Sequence, residues 1–400
     1  MNKQRPPAQN NKQRDSETGS LLHSEHTVII EKLAVGGDGV ARIPFKDRSI
    51  VVFVKLAAPK DELKIKITFV EKNFLRAEII EILEPSLSRR PAPCPYFPTC
   101  GGCTWQHINE AEQVQQKEII LNELLQKFIP DISYALAAST HSPKSLHYRN
   151  RIQLKHLGTQ MGYFQRESHQ IVDIDLCLIA DKLISDQIPA IKAKIRPAVE
   201  LQKYELKLNQ RNEFEYYKIG ELGEGLSFSQ VNNEINQKLV NLVSEIVAKI
   251  NPTFVSELYA GAGNFSFEIL QKLPSLRVES VEMNSELTSF ATQKLTALNY
   301  QKRLFAFTSD CESFVGRRAL SSELVLLDPP RAGCSDLVLK KVIEAKPQDL
   351  IYISCHPVFL ARDLQKILAT NKNYKIRHLQ IFDMFPQTDH FETFVHLSTT

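Results

Sequence analysis

The apolar stretch Asp349-Leu-Ile-Tyr-Ile-Ser-Cys355-His-Pro357 has the length of a strand and ends on a cysteine, a histidine and a proline. It predicts a buried strand that carries a thiol at its carboxyl end. In open α/β sheets ligands bind at that edge, so Cys355 is expected to face a pocket and not the core. Two further stretches fall in the same region, Leu324-Val-Leu-Leu-Asp328-Pro-Pro-Arg331 and Asp383-Met-Phe-Pro-Gln-Thr-Asp-His-Phe-Glu392.

Strand and helix patterns alternate around these stretches. Apolar runs predict strands at 253–259, 276–281, 323–327 and 350–354. Helical patterns lie between and beside them at 233–250, 265–272, 286–298, 336–344 and 358–369. Such alternation predicts a parallel, doubly wound sheet, and therefore an α/β Rossmann-like domain over residues 230–400.

The front of the chain predicts two further domains. Residues 1–24 are polar and are expected to form a disordered tail. Between residues 25 and 84, five short β segments, at 27–33, 39–43, 50–54, 63–70 and 75–83, predict an OB-like β-barrel. Such barrels often bind oligonucleotides, and a solubilising or dimerising barrel is the alternative. Residues 85–229 are expected to form an α+β central domain, in which a helix at 110–127 could pack on the catalytic domain.

Composition sets broad limits on the class of protein. Hydrophobic residues make up 43% and charged residues 24% of the 400 residues, which is ordinary for a globular protein of two or three domains. The net charge of +3 does not decide the partner. Neither a signal-peptide pattern nor an apolar run of about 18 residues occurs in the sequence. We therefore expect a cytoplasmic protein that does not enter a membrane, and we expect a monomer.

The cysteines predict a metal centre. Cys94, Cys100 and Cys103 lie within ten residues, which favours reduced thiols with metal or catalytic duties over a disulfide framework. Cys177 is the candidate fourth ligand. The spacing fits zinc and an iron–sulfur cluster equally well, and three structural cysteines without a ligand are the remaining alternative.

A basic stretch lies in the predicted central domain. In His147-Tyr-Arg-Asn-Arg-Ile-Gln-Leu-Lys155-His156, cations alternate with apolar positions, so a strand here would have one basic face. That face could contact phosphates, or it could simply be solvated.

The first βα turn of the Rossmann-like domain predicts a cofactor site. Gly261-Ala-Gly263-Asn264 lets a ligand approach the backbone, and Glu282 could accept hydrogen bonds from two ribose hydroxyls. The pair indicates a cofactor that contains adenosine. A dinucleotide fingerprint would place a third glycine at Ser266, so S-adenosylmethionine is favoured over NAD.

The chemistry of Cys355 depends on its ionisation. A thiolate at a strand end is a nucleophile if its pKa is lowered, which His356 or the start of the next helix could do, while a buried inert cysteine is the alternative. Because C5 of a pyrimidine is too weak a nucleophile to attack a sulfonium methyl, a thiolate must first add to C6. Removal of the C5 proton afterwards needs a base, and Glu392 has the right type.

These motifs resemble a known family. Asp328-Pro-Pro-Arg331-Ala-Gly, Tyr352-Ile-Ser-Cys355-His-Pro and the 383–392 stretch are similar to successive motifs of the RNA uracil-5-methyltransferase family, which makes 5-methyluridine. The 25–84 barrel resembles a TRAM domain, and the four cysteines match the ligands of that family's [4Fe-4S] cluster. The resemblance covers everything except the first two dozen residues.

The resemblance assigns roles to individual residues. It implies Cys355 as the nucleophile and Glu392 as the base that takes the C5 proton. The residues that match the methyl-donor contacts are Gln230, Tyr259, Asn264, Glu282 and Asp328. Asp328 could also hydrogen-bond the target uracil, and Arg331 could steady the enolate. Tyr148-Arg-Asn-Arg151 matches the family's RNA-binding region.

The expected function is therefore S-adenosylmethionine-dependent methylation of uridine C5 in structured RNA, with 23S ribosomal RNA as the expected substrate. The alternatives are a tRNA uridine-5-methyltransferase, a non-catalytic RNA-binding protein of the same architecture, and an NAD-dependent oxidoreductase with a structural zinc. The chain departs from the family pattern at Glu257, Ala260 and Leu178, and also near the proposed catalytic residues, where the family has asparagine at His356 and histidine at Asp389. Asp389 is expected to raise the pKa of Glu392, and His356 to alter the thiolate.

Overall fold

The computed structural model describes residues 17–209, 211–220 and 230–400, which form two compact units. The first unit comprises Met1–Pro98 and Cys103–Gln116, and the second comprises Thr99–Gly102 and Lys117–Thr400. The first sixteen residues of the expected tail lie outside the described residues, whereas Glu17–Leu21 forms a 3-10 helix. The stretch 221–229, just before Gln230, also lies outside them.

The first unit is built on a six-stranded sheet with the strand order β1-β5-β6-β4-β3-β2. Its strands are β1 (Glu25–Ile29), β2 (Lys32–Leu33), β3 (Gly39–Phe45), β4 (Arg48–Val54), β5 (Glu62–Val70) and β6 (Phe74–Glu84). The first predicted strand is divided in two, because the backbone of Ile30 bonds to Asp61 while that of Glu31 bonds to Val40. The chain thus changes neighbours between β1 and β2, which lie at opposite ends of the strand order.

Alternation along these strands fills the interior of the barrel. Leu63, Ile65 and Ile67 of β5 are fully buried, while Lys64 and Lys66 between them point outward. This is the period of two expected for a strand with one buried face. Helix α1 (Glu110–Phe128) follows, and the boundary between the two units falls within it, after Gln116.

The second unit contains an antiparallel five-stranded sheet with the order β11-β10-β7-β8-β9. Its strands are β7 (Arg151–Gly158), β8 (Gln160–Phe164), β9 (Ile171–Asp173), β10 (Ala198–Leu208) and β11 (Phe214–Lys218). Two short helices, α2 (Lys182–Ser185) and α3 (Ile188–Lys194), lie between β9 and β10. The basic stretch therefore begins in a loop and continues into β7.

The second unit also contains a seven-stranded sheet with the order β14-β13-β12-β15-β16-β18-β17. Its strands are β12 (Phe254–Leu258), β13 (Arg277–Glu282), β14 (Leu304–Thr308), β15 (Leu324–Leu327), β16 (Asp349–Ser354), β17 (Lys375–Phe382) and β18 (Glu392–Ser398). Its helices are α4 (Asn233–Ile250), α5 (Ser266–Lys272), α6 (Ser285–Ala297), α7 (Cys311–Arg317), α8 (Asp336–Ala345) and α9 (Pro357–Thr370). The strands β12 to β16 are parallel, and β18 is antiparallel to both of its neighbours. The α/β Rossmann-like fold is thus confirmed, with an antiparallel edge added.

The core of this sheet is built around β16, which comes from the apolar stretch at Asp349–Ser354. Every residue of β16 is buried, as expected for a central strand covered on both faces. Leu239 and Val243 of α4 pack in the same hydrophobic cluster as Ile351 and Ile353 of β16. Among the described helices, none is long and apolar enough to cross a membrane.

Candidate active site

A cavity of about 1130 Å³ opens at the carboxyl ends of the parallel strands in the second unit. Its lining includes the residues that follow β12, β13, β15 and β16, which is where ligands bind in open α/β sheets. All of the predicted methyl-donor residues line it, together with the predicted nucleophile and base: Gln230, Tyr259, Asn264, Glu282, Asp328, Cys355 and Glu392. The structure therefore brings the separate sequence motifs to one site.

Cys355 and Glu392 occupy opposite positions on one antiparallel strand pair. The last paired residues of β16 and β18 are Ser354 and Thr393. Cys355 and Glu392 are the next residues in that register, both line the cavity, and the charge of Glu392 acts on the Cys355 thiol. Side chains at opposite positions share a face of the sheet, with Cβ atoms about 4.5–5.5 Å apart. The strand pairing thus sets the candidate nucleophile beside the candidate base.

The Cys355 thiol lies in an environment that disfavours its ionisation. Burial raises its pKa to about 12, and the carboxyl groups of Glu392 and Asp328 contribute to the rise. The Arg331 guanidinium opposes this effect and lowers the pKa. Arg331 is therefore a cation that acts on the thiol, and the sequence had not assigned it that effect. The His356 ring packs on Phe359, with 4.8 Å between the ring centroids.

The two nearby carboxyl groups are also perturbed by burial. Glu392 is only 3% exposed, and burial, aided by the charge of Asp328, raises its pKa well above the usual range. Its Oε2 atom is buried and has no hydrogen-bond partner within the described ranges. Burial likewise raises the pKa of Asp328 to about 7. Both groups therefore hold protons more tightly than exposed carboxylates do.

Asp389 does not have the effect expected of it. The charge that raises the pKa of Glu392 comes from Asp328. Asp389 acts instead on His356 and His390, whose pKa values it raises against a larger lowering by burial. The departure at position 389 thus bears on the two histidines and not on the candidate base.

The glycine turn after β12 needs its glycines. Gly261 and Gly263 have φ angles of +56° and +82°, and a Cβ added at Gly263 would lie 2.6 Å from the Phe267 ring. Tyr259 also has a positive φ, of +64°. This tightly wound backbone leaves the main chain uncovered towards the cavity, as close approach of a ligand requires.

Glu282 fits a ribose acceptor. Its Oε2 accepts a hydrogen bond from the Gly261 amide at 2.9 Å, and its Oε1 accepts one from the Asn284 amide at 2.8 Å. Each carboxylate oxygen has a second lone pair, so both can still accept a ribose hydroxyl. The two amides hold the carboxylate in a fixed orientation. The donor set therefore fits an adenosine-bearing ligand such as S-adenosylmethionine.

The other predicted donor contacts are held by residues of α4 and of the basic stretch. The Asn264 side chain exchanges two hydrogen bonds with Asn236 of α4, each 3.0 Å long. The Gln230 carbonyl oxygen accepts a hydrogen bond from Asn150 Nδ2 at 2.9 Å. These contacts join the cofactor side of the cavity to α4 and to the basic stretch.

Asp310 is a cavity residue that sequence reasoning missed. It follows β14 and caps α7, where its carboxylate accepts a hydrogen bond from the Ser313 amide at 2.8 Å. That hydrogen bonding lowers the pKa of Asp310. The signal was available, because the segment from Leu304 to Asp310 has the same strand-then-polar form as the two stretches first quoted.

The basic stretch reaches the same cavity. Arg149 and Arg151 both line it, and the Arg149 guanidinium lies over the Phe385 ring, 5.7 Å from its centroid. A cavity with cationic groups on one wall and a buried nucleophile on another can receive an anionic substrate.

The predicted metal ligands are divided between the two units. Cys94 and Cys103 belong to the first unit, and Cys100 and Cys177 to the second. In the second unit, Cys177 Sγ lies 3.7 Å from the Tyr163 hydroxyl, and Cys100 also acts on the pKa of that phenol. Thiolates are the ligands that soft metal centres prefer. Across the described ranges, however, no group of three or more His, Cys, Asp or Glu residues is placed to hold a metal ion.

The outer face of the barrel in the first unit carries an aromatic patch, defined here as Phe53, Phe69, Phe74 and Arg76. These residues lie on the adjacent strands β4, β5 and β6, and all are half-buried. The ring centroids of Phe53 and Phe74 are 5.7 Å apart, and those of Phe69 and Phe74 are 6.4 Å apart. The Arg76 guanidinium lies 5.9 Å from the Phe74 centroid. Rings with an arginine on a strand face are typical of surfaces that stack nucleic-acid bases.

Known proteins are similar to this chain in sequence and in fold. Models of the tRNA (Uracil-5-)-methyltransferase family and of the TRAM domain match residues 203–400 and 20–80. The uncharacterized RNA methyltransferase Bd3828 of Bdellovibrio bacteriovorus is 41% identical over 384 residues, which cover 94% of this chain and 96% of that protein. The 23S rRNA (uracil(1939)-C(5))-methyltransferase RlmD of Legionella pneumophila is 27% identical, over 92% of this chain and 96% of that protein.

A solved structure confirms the fold over nearly the whole chain. The tRNA (uracil-54, C5)-methyltransferase of Pyrococcus abyssi, in complex with S-adenosyl-L-homocysteine, superposes with a TM-score of 0.70 at 21% identity. The superposition covers 93% of this chain and 100% of that one. Together with the motifs around Asp328, Cys355 and Glu392, these comparisons show that the chain belongs to the RNA (uracil-5-)-methyltransferase family and carries an N-terminal TRAM domain.

Proposed function

We propose that this protein transfers a methyl group from S-adenosylmethionine to C5 of a uridine in 23S ribosomal RNA. The observation that carries the proposal is the opposition of Cys355 and Glu392 across β16 and β18, on the cavity that Glu282 also lines. Alkylation of C5 requires a nucleophile for C6 and a base for the C5 proton on one face of the same site.

The proposed reaction uses these side chains in turn. The Cys355 thiolate adds to C6 of the uracil, which makes C5 nucleophilic. Bound S-adenosylmethionine supplies an electrophilic methyl group to C5. The Glu392 carboxylate then removes the C5 proton, the C5–C6 double bond forms again, and the thiolate leaves C6. Arg331, whose charge lowers the pKa of both Cys355 and Glu392, is the group that would steady the enolate oxygen.

The target uridine would have to leave its stack to reach Cys355, as the substrates of other base-modifying enzymes do. Arg149 and Arg151 at the cavity wall would bind the flanking phosphates. Asp328 would hydrogen-bond the uracil. The aromatic patch of the barrel would stack unpaired bases of the same RNA.

Ribosomal RNA is favoured over tRNA by the relatives that match most of the chain. The Legionella protein and its 26% identical counterpart in Acinetobacter baumannii (strain AB0057) are both named as enzymes of 23S rRNA. The archaeal structure is named as an enzyme of tRNA, so a tRNA uridine is the alternative substrate.

The proposal includes a [4Fe-4S] cluster held by Cys94, Cys100, Cys103 and Cys177, as structural support. Its basis is the family resemblance together with the approach of Cys100 and Cys177 to Tyr163. Protein purified without oxygen should be brown and contain about four iron atoms and four sulfides per chain. A colourless protein with one zinc ion and no iron would contradict this.

The experiment that tests the function is mass-spectrometric mapping of 5-methyluridine in 23S rRNA and tRNA from cells with and without the protein. The proposal expects one 5-methyluridine of 23S rRNA to disappear and to return when the gene is restored. A loss confined to tRNA would establish the alternative substrate, and no loss in either RNA would contradict the proposed activity.

A further inference from the structure

The loop of residues 383–391 joins β17 to β18 and ends where Glu392 begins. We call it the motif loop. Cys355 is positioned by the end of a fully buried central strand, but Glu392 is the first residue of its strand and directly follows this loop. Phe385 of the motif loop lines the cavity as well. The pairing of Glu392 with Phe382 of β17 fixes it on one side, and the motif loop that leads directly into it fixes it on the other.

A buried lysine from a distant part of the chain holds the motif loop. Lys117 Nζ lies 2.7 Å from Asp383 Oδ1 and donates a second hydrogen bond to the Phe385 carbonyl at 3.3 Å. The lysine is fully buried, and 266 residues separate it from Asp383. One ammonium group thus contacts the first and third residues of the motif loop.

The segment that leads into the basic stretch adds further contacts. The Asp383 amide donates to the Thr140 carbonyl at 2.9 Å. The Tyr148 hydroxyl donates to the Pro386 carbonyl at 3.1 Å, and Gln387 Nε2 donates to the Ser145 carbonyl at 3.4 Å. The motif loop is therefore held along its first half by partners from outside its own sheet.

The energetics indicate a role beyond stability. Removing the charges of a lysine and an aspartate from water is unfavourable, and their mutual attraction offsets that desolvation only in good geometry. An apolar pair of similar volume often stabilises a protein as well or better. The ion pair and the added hydrogen bond to a carbonyl are directional, unlike apolar contacts. They therefore fix the position of the motif loop.

We propose that Lys117 is a positioning residue for proton removal: by fixing the motif loop through Asp383 and Phe385, it holds the Glu392 carboxylate at the C5 proton of the methylated uridine. The inference rests on the proposed uridine methylation. In the step concerned, the C5–H bond breaks and its electron pair forms the C5–C6 double bond. The C6–S bond breaks at the same time, Cys355 leaves as thiolate, and Glu392 takes the proton.

A displaced Glu392 should slow this step and spare the ones before it. Thiolate addition and methyl transfer involve Cys355 and the donor site, whereas Lys117 donates its hydrogen bonds to the motif loop. The methylated RNA should then stay bonded to Cys355. An accumulated covalent adduct is a signature that general loss of stability would not produce.

The test uses full-length protein, donor labelled in the methyl group, and transcribed 23S rRNA. The variants are Lys117→Met, the double variant Lys117→Met with Asp383→Asn, and Glu392→Gln as the reference for blocked proton removal. Label that stays on the protein after nuclease digestion and denaturation measures the adduct. We expect this label to rise at least about 10-fold in Lys117→Met, while the first methyl transfer at excess enzyme changes less than about 3-fold.

The double variant removes the unpaired Asp383 charge, so it should fold and still accumulate the adduct. His396→Leu is the matched control. It breaks the buried 2.8 Å contact between His396 of β18 and Asp349, the first residue of β16, far from Cys355 and Glu392. It should lose stability without accumulating adduct. The inference is overturned if the double variant behaves like the wild type, or if both Lys117 variants lose methyl transfer without adduct, as a merely unstable protein would. If Glu392→Gln itself formed no adduct, the proposed roles of Cys355 and Glu392 would fail first.

Discussion

Cys355 directly follows Ser354 and Glu392 directly precedes Thr393, and Ser354 and Thr393 are the last paired residues of the antiparallel strands β16 and β18. The two side chains therefore share a face of the sheet, although 37 positions separate them in the sequence. Their charges also act on each other, since Glu392 contributes to the raised pKa of the Cys355 thiol. Strand pairing thus couples the proposed nucleophile and base both geometrically and electrostatically.

Replacing either partner should stop the reaction at a different point. Glu392→Gln should bind RNA, transfer one methyl group and then remain bonded to it, so multiple-turnover activity should fall at least about 1000-fold. Cys355→Ala should transfer no methyl group at all. Quench-flow measurements with labelled donor distinguish the two. Continued turnover of Glu392→Gln at a rate near that of the wild type would show that another group removes the proton.

The pH dependence of the rate should reflect the raised pKa values. Cys355 and Glu392 must both be deprotonated to act, and burial raises both pKa values, so the rate should increase with pH through neutrality. Asp328→Asn removes a negative charge that raises both, so its profile should shift to lower pH even though its rate is lower. Single-turnover rates across a pH series test this. A flat profile in the wild type would contradict the assignment.

A buried carboxyl group should make stability fall as pH rises. Burial raises the pKa of Glu257 to about 8, so the folded state keeps a proton that the unfolded chain releases above its ordinary value of 4.5. The free energy of unfolding should then decrease by about 1.4 kcal/mol per pH unit between these two values because of this one group. Glu257→Gln should flatten that slope.

Denaturant titrations of the Glu257→Gln variant and the wild type, at several pH values, measure the difference. Glu286→Gln, on the surface of α6, is the control and should leave the slope unchanged. Identical slopes in all three proteins would mean that Glu257 is ionised in the folded state.

Donor binding should depend on Glu282. Glu282→Ala removes the proposed acceptor of two ribose hydroxyls and frees the Gly261 and Asn284 amides that now hold it. The Kd for S-adenosylhomocysteine, measured by calorimetry without RNA, should rise at least about 100-fold, since each of the two lost hydrogen bonds to a charged group contributes about 1.5–3 kcal/mol. Glu286→Gln is again the control. An unchanged Kd for Glu282→Ala would show that Glu282 does not contact the methyl donor.

The aromatic patch should contribute to RNA binding and not to chemistry. Phe74→Ala should weaken binding of a single-stranded oligoribonucleotide by about 5- to 100-fold, because stacking of one base contributes about 1–3 kcal/mol. Fluorescence anisotropy with the full chain measures this, and Ile29→Ala, on an exposed residue of β1, is the control. Equal affinities for both variants would show that the barrel does not stack bases there.

Local patterns in the sequence were enough to predict most of the catalytic fold. Runs such as 350–354 encode a buried strand by themselves, and the structure has β16 at Asp349–Ser354. β18 was not predicted, because Glu392, Thr393 and His396 are polar and the strand is buried only through pairing with β16 and β17. The sequence could therefore name Cys355 and Glu392 but could not show that they stand opposite each other.

Charge interactions between residues far apart in the chain could not be predicted from the sequence either. The sequence pattern around Lys117 predicts only an amphipathic helix that packs on a neighbour. The ion partner of Lys117, Asp383, is 266 residues away in the chain. Arg331, which is 24 positions from Cys355 in the sequence, lowers the pKa of the thiol, because distance in the fold and not in the chain decides the electrostatic field. The cysteine spacing alone did not distinguish zinc from iron, since both accept the same thiolates.

The central claim is that Cys355 bonds to C6 of a uridine during methyl transfer, and trapping that bond tests it most directly. In RNA that carries 5-fluorouridine, C5 has no proton for Glu392 to remove, so the enzyme should stop as a methylated covalent adduct. Digestion of this adduct and mass spectrometry should find the modified nucleotide on the peptide that contains Cys355. Methylation of ordinary RNA with no adduct on fluorinated RNA, or an adduct on another cysteine, would contradict the account.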